Sequence, residues 1–191
     1  CWLSAKKSHT YIKICDKIIS TKEDFLAINA SAELLSGYYV LMSDLDFSGE
    51  EIKAVGKYDT PYQPFSGLFD GNGYTIKNAS ISANTNENAG NYYNLGLFGY
   101  VTGKICNLRI ENINVHGANF IGGLCGALGK GGVIENCRVE NCAVQADATT
   151  KISGTIAGRN NGRILYCSYD GDVPAIGQSQ TDGYEEGLEK F

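Results

Sequence analysis

The chain has 191 residues, 43% hydrophobic and 19% charged, with a net charge of −5. This is the composition of one globular domain and excludes a disordered chain. A sequence pI near 5.0, with Lys6-Lys7 the only adjacent basic pair, argues against nucleic acid or an anionic membrane surface as partner. No stretch approaches the ~18 apolar residues of a membrane span, and 24 Gly against 3 Pro point to many tight turns between short strands.

Residues 1–19 form a leader of uncertain structure, with one strand-like stretch at Thr10 to Cys15. No signal peptide is visible in the sequence, as expected of a mature form or an excised fragment. Cys1 fits the lipidated first residue of a mature bacterial lipoprotein, although an arbitrary chain boundary is the plainer reading. Ser20-Thr21-Lys22-Glu23 has the spacing of a capping box. It opens an amphipathic helix with Phe25, Leu26, Ile28, Ala32 and Leu35 on one side and Gly37 as terminator. Tyr38 to Phe47 reads as a strand. Two polar loops, Lys57 to Pro64 and Asn84 to Asn94, carry Tyr58, Tyr62, Tyr92 and Tyr93. Residues 177–191 are polar and acidic, the composition of a tail or linker.

Between these ends lies an internal repeat. Gly67-Leu68-Phe69-Asp70, Gly96-Leu97-Phe98-Gly99, Gly123-Leu124-Cys125-Gly126 and Gly154-Thr155-Ile156-Ala157-Gly158 align, and the Ile residues that follow them, Ile76, Ile105, Ile134 and Ile164, are spaced 29, 29 and 30. Apolar positions hold their phase while the stretches between them vary, as stacked supersecondary units require. Ile105 to Val115 is rich in β-branched residues and alternates with a change of phase near Asn107, so it bends between two short strands. Such a unit cannot bury its own apolar side, but stacked coils about 4.8 Å apart can. The expected fold is all-β, a short right-handed parallel β-helix (solenoid) over residues 20–176, with an N-terminal capping helix over its open end. Ile76, Ile105, Ile134 and Ile164 are expected to stack in one interior column, and Asn78, Asn107 and Asn136 in one corner ladder.

Candidate chemistry is sparse. Glu111, Glu140 and Asp170 share one column and Arg109 and Arg138 a parallel one, which reads as a surface charge ladder before a catalytic groove. Asp44 and Asp46 lie on one side of a strand and are the weak candidates for Ca²⁺; turn hydrogen bonding is the commoner role, and no metal or other cofactor is expected. None of the seven Cys forms a CxxC pair, and only His9 and His116 could serve as a base, so neither a zinc site nor a thiol nucleophile is indicated. Cys137 and Cys167 fall in matching positions of neighbouring coils; a disulfide and a buried thiol pair both fit. Tyr58, Tyr62, Tyr92 and Tyr93 are the candidate binding residues, because loops on rigid scaffolds carry recognition and aromatic rings suit sugar faces and protein anchors; covering the coil edges is the alternative.

The Gly-Leu-x-Gly cores at Gly96 to Gly99 and Gly123 to Gly126, with the upstream helix and the run Phe65 to Ile76, resemble the GLUG motif repeats over residues 20 to 175. The fourth repeat departs from the motif at Thr155-Ile156-Ala157. The resemblance implies a module of bacterial surface proteins, such as adhesin-like proteins or the N-terminal region of IgA-specific metallopeptidases. Nothing like the peptidases' His-Glu-x-x-His is present. The expected function is therefore a non-catalytic, secreted or surface-displayed structural and binding module. Its partners would be a host or neighbouring-cell glycan or protein and the other domains of a larger protein. A β-helix carbohydrate-active enzyme and a self-assembling fibre or coat subunit that associates head to tail are the alternatives.

Overall fold

The computed structural model describes residues 2–4, 11–13, 15–58, 62–82, 94–146 and 152–191. Short strands wind into a parallel β-helix whose wall has five faces. Face 1 holds Lys17–Ile19, Tyr38–Leu41, Leu68–Asp70, Lys104–Cys106, Val133–Glu135, Arg163–Leu165 and Tyr184–Glu186, and face 2 holds Leu45–Asp46, Thr75–Lys77, Arg109–Glu111, Arg138–Glu140, Ser168–Tyr169 and Glu189–Lys190. Face 3 comprises Ser80–Ser82, Asn114–Gly117 and Ala143–Ala146; face 4 comprises Asn94–Leu95, Phe120–Gly122 and Ile152–Gly154. Face 5 comprises Phe98–Val101, Cys125–Leu128, Ala157–Asn160 and Ile176–Ser179. The central coils pass through the faces in this order and hydrogen-bond to the next coil in parallel register.

Interior side chains stack coil on coil, but not wholly as the 29-residue count predicts. Ile105, Ile134 and Ile164 do form one column on face 1, preceded by Phe69 and Tyr39. Ile76 is not in it. It lies on face 2 in the column Leu45, Ile76, Ile110, Val139 and Tyr169. The reason is the segment 83–93, which lengthens one coil, so that Ile105 pairs with Phe69, 36 residues earlier, and the shorter count from Ile76 joins two different faces. Tyr39, Phe69, Ile76, Ile105, Ile110, Ile134, Val139 and Ile164 are all essentially inaccessible. Each such side chain contributes about 1.5–3 kcal/mol relative to exposure.

Two kinds of column make the corners. Between faces 1 and 2 the chain turns through left-handed residues, Asn107 and Asn136 at φ 53° and Tyr166 at φ 52°. Asn is suited there because its short amide tolerates that backbone, which costs most L-residues about 1–2 kcal/mol. The amides also form a ladder, with Asn107 Nδ2 donating to Asp70 Oδ1 (3.1 Å) and Asn136 Nδ2 donating to Asn107 Oδ1 (2.8 Å). Asn78 belongs instead to a second ladder between faces 2 and 3, donating to Asp46 Oδ1 (2.8 Å) and accepting from Asn112 (3.1 Å), which in turn accepts from Asn141. The predicted single Asn column is thus two columns, displaced by the same register error as Ile76.

Where face 5 meets face 1, Gly37, Gly67, Gly103, Gly132 and Gly162 stack, and each carbonyl accepts the N–H of the residue after the next glycine, as Gly67 does from Lys104 (2.8 Å). A Cβ on Gly103 would lie 2.0 Å from the Gly67 oxygen, so no larger residue fits without displacing backbone. The last glycine of each Gly-Leu-x-Gly core has a related reason. Gly99, Gly126 and Gly158 lie where the face 5 backbone passes close to face 4, and a Cβ on Gly126 would lie 2.4 Å from Leu95 N.

Helix α1 (Lys22–Leu26) is shorter than its amphipathic pattern predicts and continues as 3₁₀ turns at Ala27–Ala30 and Leu34–Ser36. Its capping box is Thr21 with Asp24, one residue beyond the predicted Ser20 and Glu23 pair. Phe25 enters the interior end-on, its ring centroid 5.8 Å from Phe69, 6.0 Å from Phe47 and 6.1 Å from Phe98. The helix therefore closes the N-terminal end of the core, as expected of a cap. Part of the predicted leader is already solenoid, since Lys17–Ile19 pairs with Tyr38–Leu41, while Trp2–Ser4 pairs antiparallel with Tyr11–Lys13. At the other end, residues 176–191 are a further coil rather than a tail, paired in parallel on faces 5, 1 and 2. Its composition concealed it, because Glu185 occupies the position of the Ile column and donors such as Asn160 Nδ2 (2.6 Å) reach its carboxylate.

Candidate binding groove

At Gly99, Gly126 and Gly158 the backbone of face 5 passes close to that of face 4, and side chains of the two faces meet at this corner. A cavity of about 450 Å³ opens there, with Tyr58, Asn94, Tyr100, Phe120, Ala127 and Arg159 among its lining residues. Tyr100, Ala127 and Arg159 occupy equivalent places in three successive coils. Small Ala127 thus forms a floor between two long side chains. Phe120 flanks it, and the Arg159 guanidinium carbon lies 5.1 Å from the Phe120 ring centre, a cation–π contact that orients it.

The excursion between Gly56 and Phe65 supplies the remaining wall. Lys57 and Gln63 pair across its base, Lys57 N–H donating to Gln63 O at 2.7 Å. Tyr58 and Tyr62 stand on it as expected, about half exposed, with ring centroids 4.9 and 5.8 Å from Tyr100 and 5.5 Å from each other. Burial, with smaller contributions from Tyr62, pushes the Tyr100 phenol up to about 12. Arg159 donates through one terminal nitrogen to Gln180 Oε1 (3.1 Å), and its buried Nε has no acceptor among the described residues. Tyr92 and Tyr93 lie outside the described residues.

The other candidates are engaged in structural contacts. Glu140 is held by Arg138 (2.8 Å) and by Arg109, and the Arg138 contact keeps its carboxyl below the usual range. Asp170 accepts the Asn141 N–H. Asp44 Oδ1 accepts the Thr75 N–H (2.8 Å). Asp46 accepts from Ser48 Oγ (2.6 Å), Ser48 N–H (3.0 Å) and Asn78, which hold its carboxyl at about 2. Among the described residues no group of three or more His, Cys, Asp and Glu is placed to hold a metal ion. Cys137 and Cys167 stand in one interior column as buried free thiols, the Cys137 N–H 3.4 Å from Cys167 Sγ, and burial raises the Cys137 thiol.

No family model matches the chain. It is 34% identical over 152 residues, 73% of its length, to Halomucin from Haloquadratum walsbyi, of which it spans only 2%. Among solved structures it is similar to a crystal structure from Bacteroides ovatus of a protein provisionally called an immunoglobulin A1 protease. That match has a TM-score of 0.53 and 20% identity, covering 90% of this chain and 63% of the other; it is a likeness of fold.

Sequence reasoning found the loop that carries Tyr58 and Tyr62 but missed Tyr100, Phe120 and Arg159. A usable signal was present, since Tyr100, Ala127 and Arg159 each directly follow the last glycine of a repeat core. Phe120 needed the fold, because only the corner between faces 4 and 5 brings it beside them.

Proposed function

We propose that this chain is a non-catalytic structural and binding module of a larger extracellular or cell-surface protein, a GLUG-type β-helix whose contact surface is the groove between faces 4 and 5. The observation that carries this reading is the division of labour on the outer wall. Glu140 and Asp170 of the outer carboxylate column are tied to arginines and to a backbone N–H, whereas ring surfaces and the Arg159 side chain line an open groove. A β-helix hydrolase or lyase needs carboxylates that converge on substrate, and Glu140 is instead committed to two arginines. Support for the surface setting is the resemblance of the Gly-Leu-x-Gly cores to modules of bacterial adhesin-like proteins, and similarity to a protein named as a mucin. The reach and rigidity of stacked coils suit a spacer, and a loop-flanked groove on such a scaffold suits recognition.

Two measurements test this. Antibody against the module should label intact cells of the source organism; labelling only after lysis would overturn the surface assignment. Incubation of the protein with a polysaccharide panel should yield neither new reducing ends nor unsaturated products; sustained turnover would overturn the non-catalytic reading and favour the enzyme alternative.

A further inference from the structure

The chemistry of the groove narrows what it can hold. Tyr100 and Arg159 are two coils apart, about 9.6 Å at the usual strand spacing, with Ala127 between them as floor. Ring surface comes from Tyr58, Tyr100 and Phe120, and polar edges come from Asn94 and Asn161. No carboxylate lines the cavity among the described residues. Arg159 is the cation in the lining, oriented by Phe120 and Gln180, and its Nε–H is buried without an acceptor. The Arg159 side chain that lines the cavity offers a planar fork of N–H donors, which the two oxygens of a carboxylate match. A pyranose ring presents C–H faces to aromatic rings and hydroxyls to amides, which is the alternation seen here.

We propose that this groove binds an acidic sugar, a pyranose bearing a carboxylate, with the ring against Tyr100 and Tyr58 and the carboxylate on Arg159. This deepens the binding role assigned above and rests on that reading. Tyr100 contributes its ring face, and Phe120 holds the guanidinium at the angle that receives the carboxylate.

The test is binding of the whole chain to a glycan array carrying matched acidic and neutral pairs, among them sialyllactose with lactose and trigalacturonate with galactotriose, followed by calorimetric titration of the members bound. At least one acidic glycan should bind tenfold or more tightly than its neutral partner. Arg159→Gln should bring that ratio close to one, and Arg159→Lys should restore only part of it. Tyr100→Ala should weaken both members tenfold or more, and Arg163→Gln, whose guanidinium lies over Tyr184 away from the groove, should change neither. Thermal unfolding of each variant, overlaid on the parent, separates loss of binding from loss of fold, and Arg159→Lys provides a second reading if Arg159→Gln unfolds. Absence of any acidic preference, a preference that survives in Arg159→Gln, or equal binding of a glutamate-rich peptide would overturn the proposal. Mass spectrometry of the recovered sugar distinguishes this failure from that of the wider reading. Intact sugar that never bound removes the groove assignment alone, whereas bound sugar recovered cleaved removes the non-catalytic assignment and leaves the groove.

Discussion

The two ends of the solenoid close by different means. At the N-terminus the apolar interior runs up to a cluster of rings, with Phe25 from α1 seated among Phe47, Phe69 and Phe98. At the C-terminus no such plug stands among the described residues, and the interior columns themselves turn polar. On face 5, Val101 and Leu128 are followed by Asn160 and Ser179; on face 1, Ile164 is followed by Glu185. One end is sealed by ring area delivered from outside the coil and the other by a gradient in coil composition. A stack of identical units needs such a device, because a terminal coil otherwise leaves an apolar layer and unpaired strand edges in water.

That contrast can be broken first at the plug. Phe25→Ala should cost about 3–5 kcal/mol, as large-to-small changes at a closed core site do, read as a lowered midpoint in denaturant. A loss no greater than that of a surface substitution would mean that the ring cluster does not close the core. Mid-stack, Gly103→Ala should cost about 1–3 kcal/mol or more by overpacking, since its Cβ would meet the Gly67 carbonyl at 2.0 Å; an unchanged thermal midpoint would refute the contact. Asn107→Ala should lose about 1–2 kcal/mol, combining the left-handed backbone with a broken ladder rung. Asn107→Gly should lose less, because glycine accepts φ 53° without strain.

Acid sharpens the comparison. Lys17 and the Ser20 N–H hold the Asp24 carboxyl at about 2, and Ser48 with Asn78 does the same for Asp46. Both values lie below the ordinary one, so the stability these groups contribute is present above about pH 4. It is lost as pH falls toward 2. Hydrogen exchange should quicken first around residues 20–48 over that range, and Asp46→Asn should flatten part of the response. Uniform quickening along the chain would contradict a localised effect. Smallest of all, Leu188→Ala in the half-open final coil should cost about 1 kcal/mol or less, measured by the same denaturant titration as Phe25→Ala. A cost as large as that of Phe25→Ala would show that both ends are sealed alike.

Much of this architecture was legible in the chain. The conserved phase of Ile105, Ile134 and Ile164 reported stacked coils because interior volume is fixed by the layer above and below. The error at Ile76 and Asn78 is equally physical. A count of 29 residues is a coil only where loops are short, and the segment 83–93 broke that rule while another apolar position happened to fall at the same distance. The final coil was hard to read because Glu185 and Ser179 stand at column positions that are apolar in earlier coils, which weakens the signal that identifies a coil. The groove was half legible. Tyr58 and Tyr62 announced themselves as loop aromatics, but Arg159 looked like any surface cation until the register placed it two coils from Tyr100.

The central claim is the register of the stack, and a crystal structure of the chain tests it most directly. Phe69 should lie over Ile105 on face 1 and Ile76 over Ile110 on face 2. Ile76 over Ile105 would contradict it, since that pairing shifts the first coils by a face and takes Tyr58 away from the floor made by Ala127.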